Sequence, residues 1–320
     1  MLTDPYNRKI NYLRLSVTDR CSLRCVYCMP AEGIELLEHE DILRFEEIVT
    51  FTEAAVAAGF SKIRITGGEP LVRKDIVSLV KEIASIKGLE DLSLTTNGIL
   101  LEKYALPLKE AGLKRVNISL DSLDKDIYAK MTRGGDVNKV KTGIEKAISV
   151  GLSPVKLNAV IIKGLNEDIE ALINLVIKYP VDLRFIELMP YKDYDYSFVP
   201  YGQLMKTIEK MGKLSAVKTS DGKGPAKYFK LQGAKGKIGF ISGVSQEFCG
   251  ECNRLRLTSD GNLRSCLFSE NEIDVKKKIR EGALIEELKT LITQAVLSKP
   301  KEHPLFSQKV TRKGMSQVGG

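Results

Sequence analysis

Over residues 1–190 the chain alternates between two hydrophobic patterns. Short β-branched runs with apolar residues at every second position give way to windows with apolar residues three and four apart. The first pattern predicts strands at Tyr12–Thr18, Lys62–Thr66, Leu92–Thr96, Arg115–Leu120, Val155–Ile162 and Leu183–Leu188. The second predicts helices between them, as in "FEEIVTFTEAAVAAG" and "VNKVKTGIEKAISVG", both closed by a glycine. Strand then helix, repeated, argues for a parallel sheet with right-handed crossovers. A closed (β/α)8 barrel needs two more units than the six found here. The expected fold class is therefore α/β, an open partial (β/α)6 barrel, with a flat doubly wound sheet as the alternative. Either architecture places its site at the C-terminal ends of the strands. A three-cysteine loop follows the first strand, "GGEP" the second, "NG" the third and "MP" the sixth.

The pattern changes near residue 191. A helix ("GQLMKTIEKMG") leads into short strands "AKYFKL" and "KIGFIS", then into "CGECNRLRLTSDGNLRSCLF", whose Asp260-Gly261 predicts a hairpin turn. Two helices are expected at about 274–282 and 284–297. Residues 1–190 are thus expected as the partial barrel, and 191–320 as a smaller α+β domain.

Composition narrows the class without choosing a function. Hydrophobic residues make up 43% and charged residues 28% of 320, as in soluble globular proteins. No apolar run reaches the roughly 18–20 residues of a membrane span, and the first residues lack the apolar core of a signal peptide. The expectation is a cytoplasmic protein without membrane contact. A formal charge of +8 suits nucleic acid, an acidic membrane or a polyanionic small molecule.

Six cysteines fall into two groups of three: Cys21, Cys25 and Cys28, then Cys249, Cys252 and Cys266. In a reducing compartment they are not expected to pair as disulfides. Three thiolates from one loop suit a [4Fe–4S] cube that keeps one iron open for a small molecule. Zinc is the alternative, but only His39 and His303 are available to complete such sites. Two further pairs stand two apart on strands, so each faces one side: Arg254 with Arg256, and Lys62 with Arg64. Such pairs are costly in a core and suit a facing phosphate.

"CSLRCVYC", with an aromatic residue before the last cysteine, resembles the signature of radical S-adenosylmethionine (SAM) enzymes. Together with "LRLSVTDRCSLRCVYCMP", "IRITGGEPLVR", "TTNG", "NISLDSL", "KLNAV", "RFIELMP", "CGECNRLRLTSDGNLRSCL" and the terminal "MSQVGG", the chain resembles one family, the GTP 3′,8-cyclases of molybdenum cofactor biosynthesis. The resemblance implies two [4Fe–4S] clusters. One is held by the first triplet and SAM; the other is held by the second triplet and binds the substrate guanine. It implies radical abstraction of the ribose 3′ hydrogen of GTP, followed by attack of C3′ on guanine C8. It implies SAM contacts at Tyr27, Gly68, Ser119 and Met189. It implies GTP contacts at Arg14, Lys62, Arg64, Thr95, Lys156, Arg184, Arg254 and Arg256, and an active-site role for Gly319 and Gly320. The implied partners are GTP, an external electron donor and a downstream cyclic pyranopterin monophosphate synthase, with a homodimer possible and no nucleic acid. The alternative is a radical enzyme acting on RNA or a peptide, and a non-catalytic zinc module that binds nucleic acid is the rival from another class. Glu69 is expected to position the fold or the cofactor.

Overall fold

The computed structural model describes residues 2–189, 196–217, 224–245, 248–303 and 314–319. A short pair, β1 (Leu2–Thr3) and β2 (Lys9–Ile10), precedes the barrel series. That series runs β3 (Tyr12–Ser16), α1 (Phe45–Ala57), β4 (Lys62–Thr66), α2 (Ile76–Ala84), β5 (Asp91–Thr96), α3 (Leu101–Glu110), β6 (Arg115–Ser119), α4 (Lys125–Thr132), α5 (Val137–Ser149), β7 (Val155–Ile161), α6 (Glu170–Lys178) and β8 (Val181–Glu187). The six strands lie within two residues of the runs predicted from alternation, and they pair in order, all parallel.

The remaining elements are α7 (Tyr201–Glu209), β9 (Leu214–Val217), β10 (Lys227–Leu231), β11 (Lys237–Ile241), β12 (Arg254–Leu257), β13 (Asn262–Arg264), β14 (Glu272–Asp274), α8 (Val275–Arg280) and α9 (Ile285–Leu297). They continue the same sheet. β11 pairs parallel with β8, and β12 pairs parallel with β3. The described strands therefore form one sheet with eight parallel members, β12-β3-β4-β5-β6-β7-β8-β11, extended by antiparallel strands at both ends. Among the described residues β11 and β12 do not pair, so the barrel stays open.

The two faces of this sheet differ in kind. Strands buried on both sides usually read as continuous apolar runs. Here Leu13, Leu15, Ile63, Ile65, Leu92, Leu94, Leu157, Leu183, Phe185 and Leu255 point outward into one core with helix residues such as Phe51, Leu79, Leu108 and Ile173. Each such side chain contributes about 1.5–3 kcal/mol relative to exposure. The alternate residues face inward and are mostly charged or polar. The outer layer thus supplies the stability that an inward face of this composition cannot.

Close backbone approach fixes the β8–β11 edge. A Cβ on Gly236 would stand 1.9 Å from the Val181 carbonyl oxygen, and Gly236 N–H donates to the Val176 carbonyl at 2.9 Å. Gly236→Ala is expected to lower stability by about 2–3 kcal/mol, read from the denaturant midpoint; an unchanged midpoint would contradict this approach.

Candidate active site

The first cysteine loop is stitched down on both sides. Val17 N–H donates to Thr66 O (3.0 Å), Gly68 N–H to Thr18 O (2.7 Å) and Glu69 N–H to Arg20 O (2.8 Å), tying it to the turn after β4. Arg24 and Val26 donate to Thr132 and Met131 carbonyls at the end of α4. Asp124 caps the start of α4 by accepting from Asp126 and Ile127 N–H. Just past its end, Arg133 donates to the Arg24 and Met29 carbonyls at 2.8 Å each. Gly68 earns its place mainly by packing against this loop: a Cβ there would lie 2.3 Å from the Arg20 carbonyl oxygen. Its backbone still lines the cavity described below.

Glu69 is buried and ties two turns together. It accepts from Leu71 N–H (3.0 Å), Thr96 hydroxyl (2.7 Å) and Asn97 N–H (2.6 Å). Burial nonetheless raises its pKa to about 7. Asn97 in turn donates to the Ser22 hydroxyl at 3.1 Å and approaches Cys21 Sγ at 3.9 Å. The expectation of a positioning role agrees with these bonds.

A cavity of about 640 Å³ runs through the barrel. Cys21, Cys25, Cys28, Tyr27, Gly68, Ser119 and Met189 line it at the strand C-terminal end, and Arg14, Lys62, Arg64, Thr95, Lys156, Arg184, Arg254 and Arg256 line it further along. Cys249, Cys252 and Cys266 are not themselves among the lining residues, but their neighbours Phe248, Asn253 and Leu267 are. Sequence reasoning missed Asp121, Asn158, Asp182, Tyr12 and Tyr228 in the lining. Tyr12 and Asn158 stand at inward positions of strands already read, so their place was visible though their partners were not; Tyr228 lies in the run "AKYFKL", and Asp121 and Asp182 fall just outside the predicted runs.

Register explains the density of charge. Arg256 stands opposite Arg14, and Arg14 opposite Arg64. Adjacent strands are about 4.8 Å apart. At an effective dielectric of about 20, like charges at that spacing repel by roughly 3 kcal/mol before the side chains splay. Burial, then Arg256 and Arg64, hold the Arg14 pKa well below its ordinary value. Burial chiefly lowers Arg64 and Arg256 to about 10 each. On the opposite wall, burial and then Arg184 bring Lys156 down to about 8. Arg184 is aimed by Asn158 (2.8 Å) and Asn117 (2.7 Å). Among the described residues, Arg64 Nε, Thr95 Oγ1 and Tyr12 OH are buried without a hydrogen-bond partner. Such an array fits a polyanion that brings several acceptors.

The C-terminal segment enters the same cavity. Val318 is fully buried. The Gly319 carbonyl accepts from Arg14 Nη2 at 2.8 Å and from Arg256 Nη1 at 3.2 Å. Gly319 has φ +81°, and a Cβ there would meet Thr66 Oγ1 at 2.8 Å, so only glycine fits without strain. Gly320 lies outside the described residues.

The two triplets have opposite surroundings. Burial dominates at the first: it lifts Cys21 to about 11 and Cys28 to about 12, and lifts Cys25 well above the usual thiol range, aided by Asp121. Cys25 and Cys28 each feel the charge of Cys21, and all three cysteines line the same cavity. Among the described residues no group of Cys, His, Asp and Glu is arranged for a single metal ion. Three thiols carried on one loop suit a [4Fe–4S] cube. At the second triplet burial also opposes ionisation, but Arg254 and Lys299 outweigh it and bring Cys252 to about 7. Tyr27 donates to Asp121 at 2.8 Å. Burial raises Asp121 to about 6, against the hydrogen bonds from Val160 N–H and Tyr27.

The chain is similar to known proteins along its length. The Radical SAM superfamily model matches residues 15–176, and the Molybdenum Cofactor Synthesis C model matches 181–305. GTP 3′,8-cyclase from Pelotomaculum thermopropionicum is 50% identical over 325 residues, covering 100% of both chains. That from Moorella thermoacetica is 50% identical over 323 residues, again covering 100% of both. Among solved structures, SuiB of Streptococcus suis bound to S-adenosylmethionine superposes with a TM-score of 0.60 at 15% identity, covering 89% of this chain and 68% of that one; this likeness shows the fold. A loop of three thiols at the mouth of an open parallel barrel, a Molybdenum Cofactor Synthesis C segment and end-to-end identity to such relatives place the chain in the radical SAM superfamily and, within it, in the GTP 3′,8-cyclase family.

Proposed function

We propose that the chain converts GTP to (8S)-3′,8-cyclo-7,8-dihydroguanosine 5′-triphosphate, the first step of molybdenum cofactor biosynthesis. The observation that carries this reading is the cation array around Arg14, Arg64 and Arg256, which needs a polyanion such as a triphosphate. Residues 1–190 would serve as the portion that takes SAM, and 191–320 as the portion that takes the guanine. Cys21, Cys25 and Cys28 would hold one [4Fe–4S] cluster with its open iron toward SAM. Cys249, Cys252 and Cys266 would hold a second, with its open iron toward the base. When bound, the first cluster and SAM supply a one-electron reduction that yields a carbon radical able to take a hydrogen atom from ribose C3′.

The chain's own residues set where that happens. Tyr27, fixed by Asp121, Ser119, Met189 and the Gly68 backbone would hold SAM at the strand C-terminal ends. Lys62, Arg64, Lys156, Arg184, Arg254 and Arg256, with Thr95, would hold the triphosphate, and their fixed positions would set the distance from ribose to SAM. Because these cations line the inside of the barrel, a folded RNA would reach few of them, and a nucleotide is favoured over the RNA alternative. Arg14 and Arg256 would keep Gly319 beside the reacting ring, excluding water. GTP, an external electron donor and a downstream synthase that consumes the product are the partners this reading requires.

Reconstituted anaerobically with reductant, SAM and a panel of nucleotides, the full chain is expected to form 5′-deoxyadenosine and a cyclised guanosine product with GTP alone. The chain lacking Gly319 and Gly320 is expected to bind SAM but form no cyclised product. SAM cleavage without any nucleotide product in the full chain would contradict the reading; full activity of the shortened chain would contradict the role of the tail.

The Lys156 ammonium gives the binding a pH dependence. Its pKa of about 8 in the nucleotide-free protein would rise when the triphosphate binds, because the anion favours the charged form. Affinity is therefore full below pH 8. It falls as pH rises between the free and bound pKa values, by up to about tenfold per pH unit. Lys156→Arg stays charged and is expected to remove that slope in nucleotide titrations from pH 7.5 to 9.5. An equal slope in the variant would contradict the assignment.

A further inference from the structure

Lys299 lies just past α9, outside every motif described above, yet its side chain is only 4% exposed. Its Nζ donates to the Arg254 carbonyl at 2.9 Å and to the Ser265 carbonyl at 2.7 Å. Its positive charge also acts on the nearby Cys252 thiol. An ammonium has three donors, and the two carbonyls take two of them. Their places in the chain are telling: Arg254 is two residues after Cys252, and Ser265 is one residue before Cys266. One buried cation thus buttons the start of β12 to the end of β13, the two strands that bring the second triplet together.

A neutral side chain could satisfy two carbonyls without the desolvation that a buried ammonium costs. Among the described residues no carboxylate pairs with Lys299. The anionic group nearest to hand is the sulfur of Cys252. Arg254 and Arg256 face that sulfur from β12, but both also face the cavity and would be drawn to its contents. Lys299 has no such second claim on it: it does not line the cavity, and both of its carbonyl bonds go to the segment that carries the triplet.

We infer that Lys299 is a positioning residue for the second cysteine triplet and holds a fixed positive charge against the iron–sulfur group bound there, keeping its reduction potential above the value a neutral residue would give. This rests on the reading that Cys249, Cys252 and Cys266 hold a cluster. Reduction adds negative charge to such a group. A buried cation beside it favours the reduced state.

The test isolates the second site. In the full chain carrying Cys21→Ala, Cys25→Ala and Cys28→Ala, anaerobic reconstitution with iron and sulfide is expected to load about four irons per chain. A redox titration followed by electron paramagnetic resonance then gives the midpoint potential. Adding Lys299→Met is expected to move the midpoint to more negative potential with iron retained, while Lys299→Arg stays near the parent value. If the methionine variant holds no iron, Lys299→Gln, which keeps two donors without the charge, is expected to hold iron and show the negative shift. An unmoved midpoint in the iron-loaded uncharged variant overturns the inference alone. A parent that holds no iron overturns the second-cluster reading, and the inference falls with it.

Discussion

Everything in this molecule is arranged around cations that repel one another. Arg256, Arg14 and Arg64 stand side by side on three adjacent parallel strands, turned toward a shared cavity. Lys156 and Arg184 face them from the opposite wall. Strand pairing fixes the spacing, and the long outward core of leucine, isoleucine and valine holds the strands against the repulsion. A less rigid support would let these side chains separate into water. In the folded chain they stay, under a strain in which burial is the leading cause of their lowered pKa values and mutual repulsion adds to it.

Two features relieve part of that strain. The Gly319 carbonyl accepts from both Arg14 and Arg256, so the C-terminal segment supplies backbone acceptors where a carboxylate would compete with a phosphate. Asn117 and Asn158 hold Arg184 by their amide oxygens without neutralising it. Neutral acceptors therefore orient the cations while leaving their charge for the substrate. The same economy separates the cysteine triplets. The first sits among buried groups that keep its thiols protonated in the absence of metal. In the second, Arg254 and Lys299 favour the thiolate of Cys252.

Local patterns made much of this legible in the chain itself. The alternation in "KIRIT" shows the strand and its charged face at once, because the period of two is a property of each strand alone. The spacing of Cys21, Cys25 and Cys28 shows the first site, because one loop carries it. What the chain hides is long-range pairing. β12 joins β3 across some 240 residues and β11 joins β8, so the C-terminal portion extends the barrel sheet, which no local pattern reports. Asp121 under Tyr27, the asparagines beside Arg184 and the Lys299 button were hidden for the same reason. Each is an ordinary polar residue whose meaning depends on a neighbour far along the chain. Gly68 was read for the cofactor's approach, and its tightest constraint proves to be the cysteine loop.

The central claim is that the inward cations are held in mutual repulsion until a polyanion arrives. Arg64→Gln tests it most directly, by anaerobic denaturant unfolding with and without GTP. Removing this charge relieves its neighbours but forfeits a substrate contact. The account predicts that the nucleotide-free variant is more stable than the parent by about 1 kcal/mol, after allowance for solvent screening, and that GTP stabilises it much less than it stabilises the parent. A nucleotide-free variant less stable than the parent, with undiminished stabilisation by GTP, would contradict it.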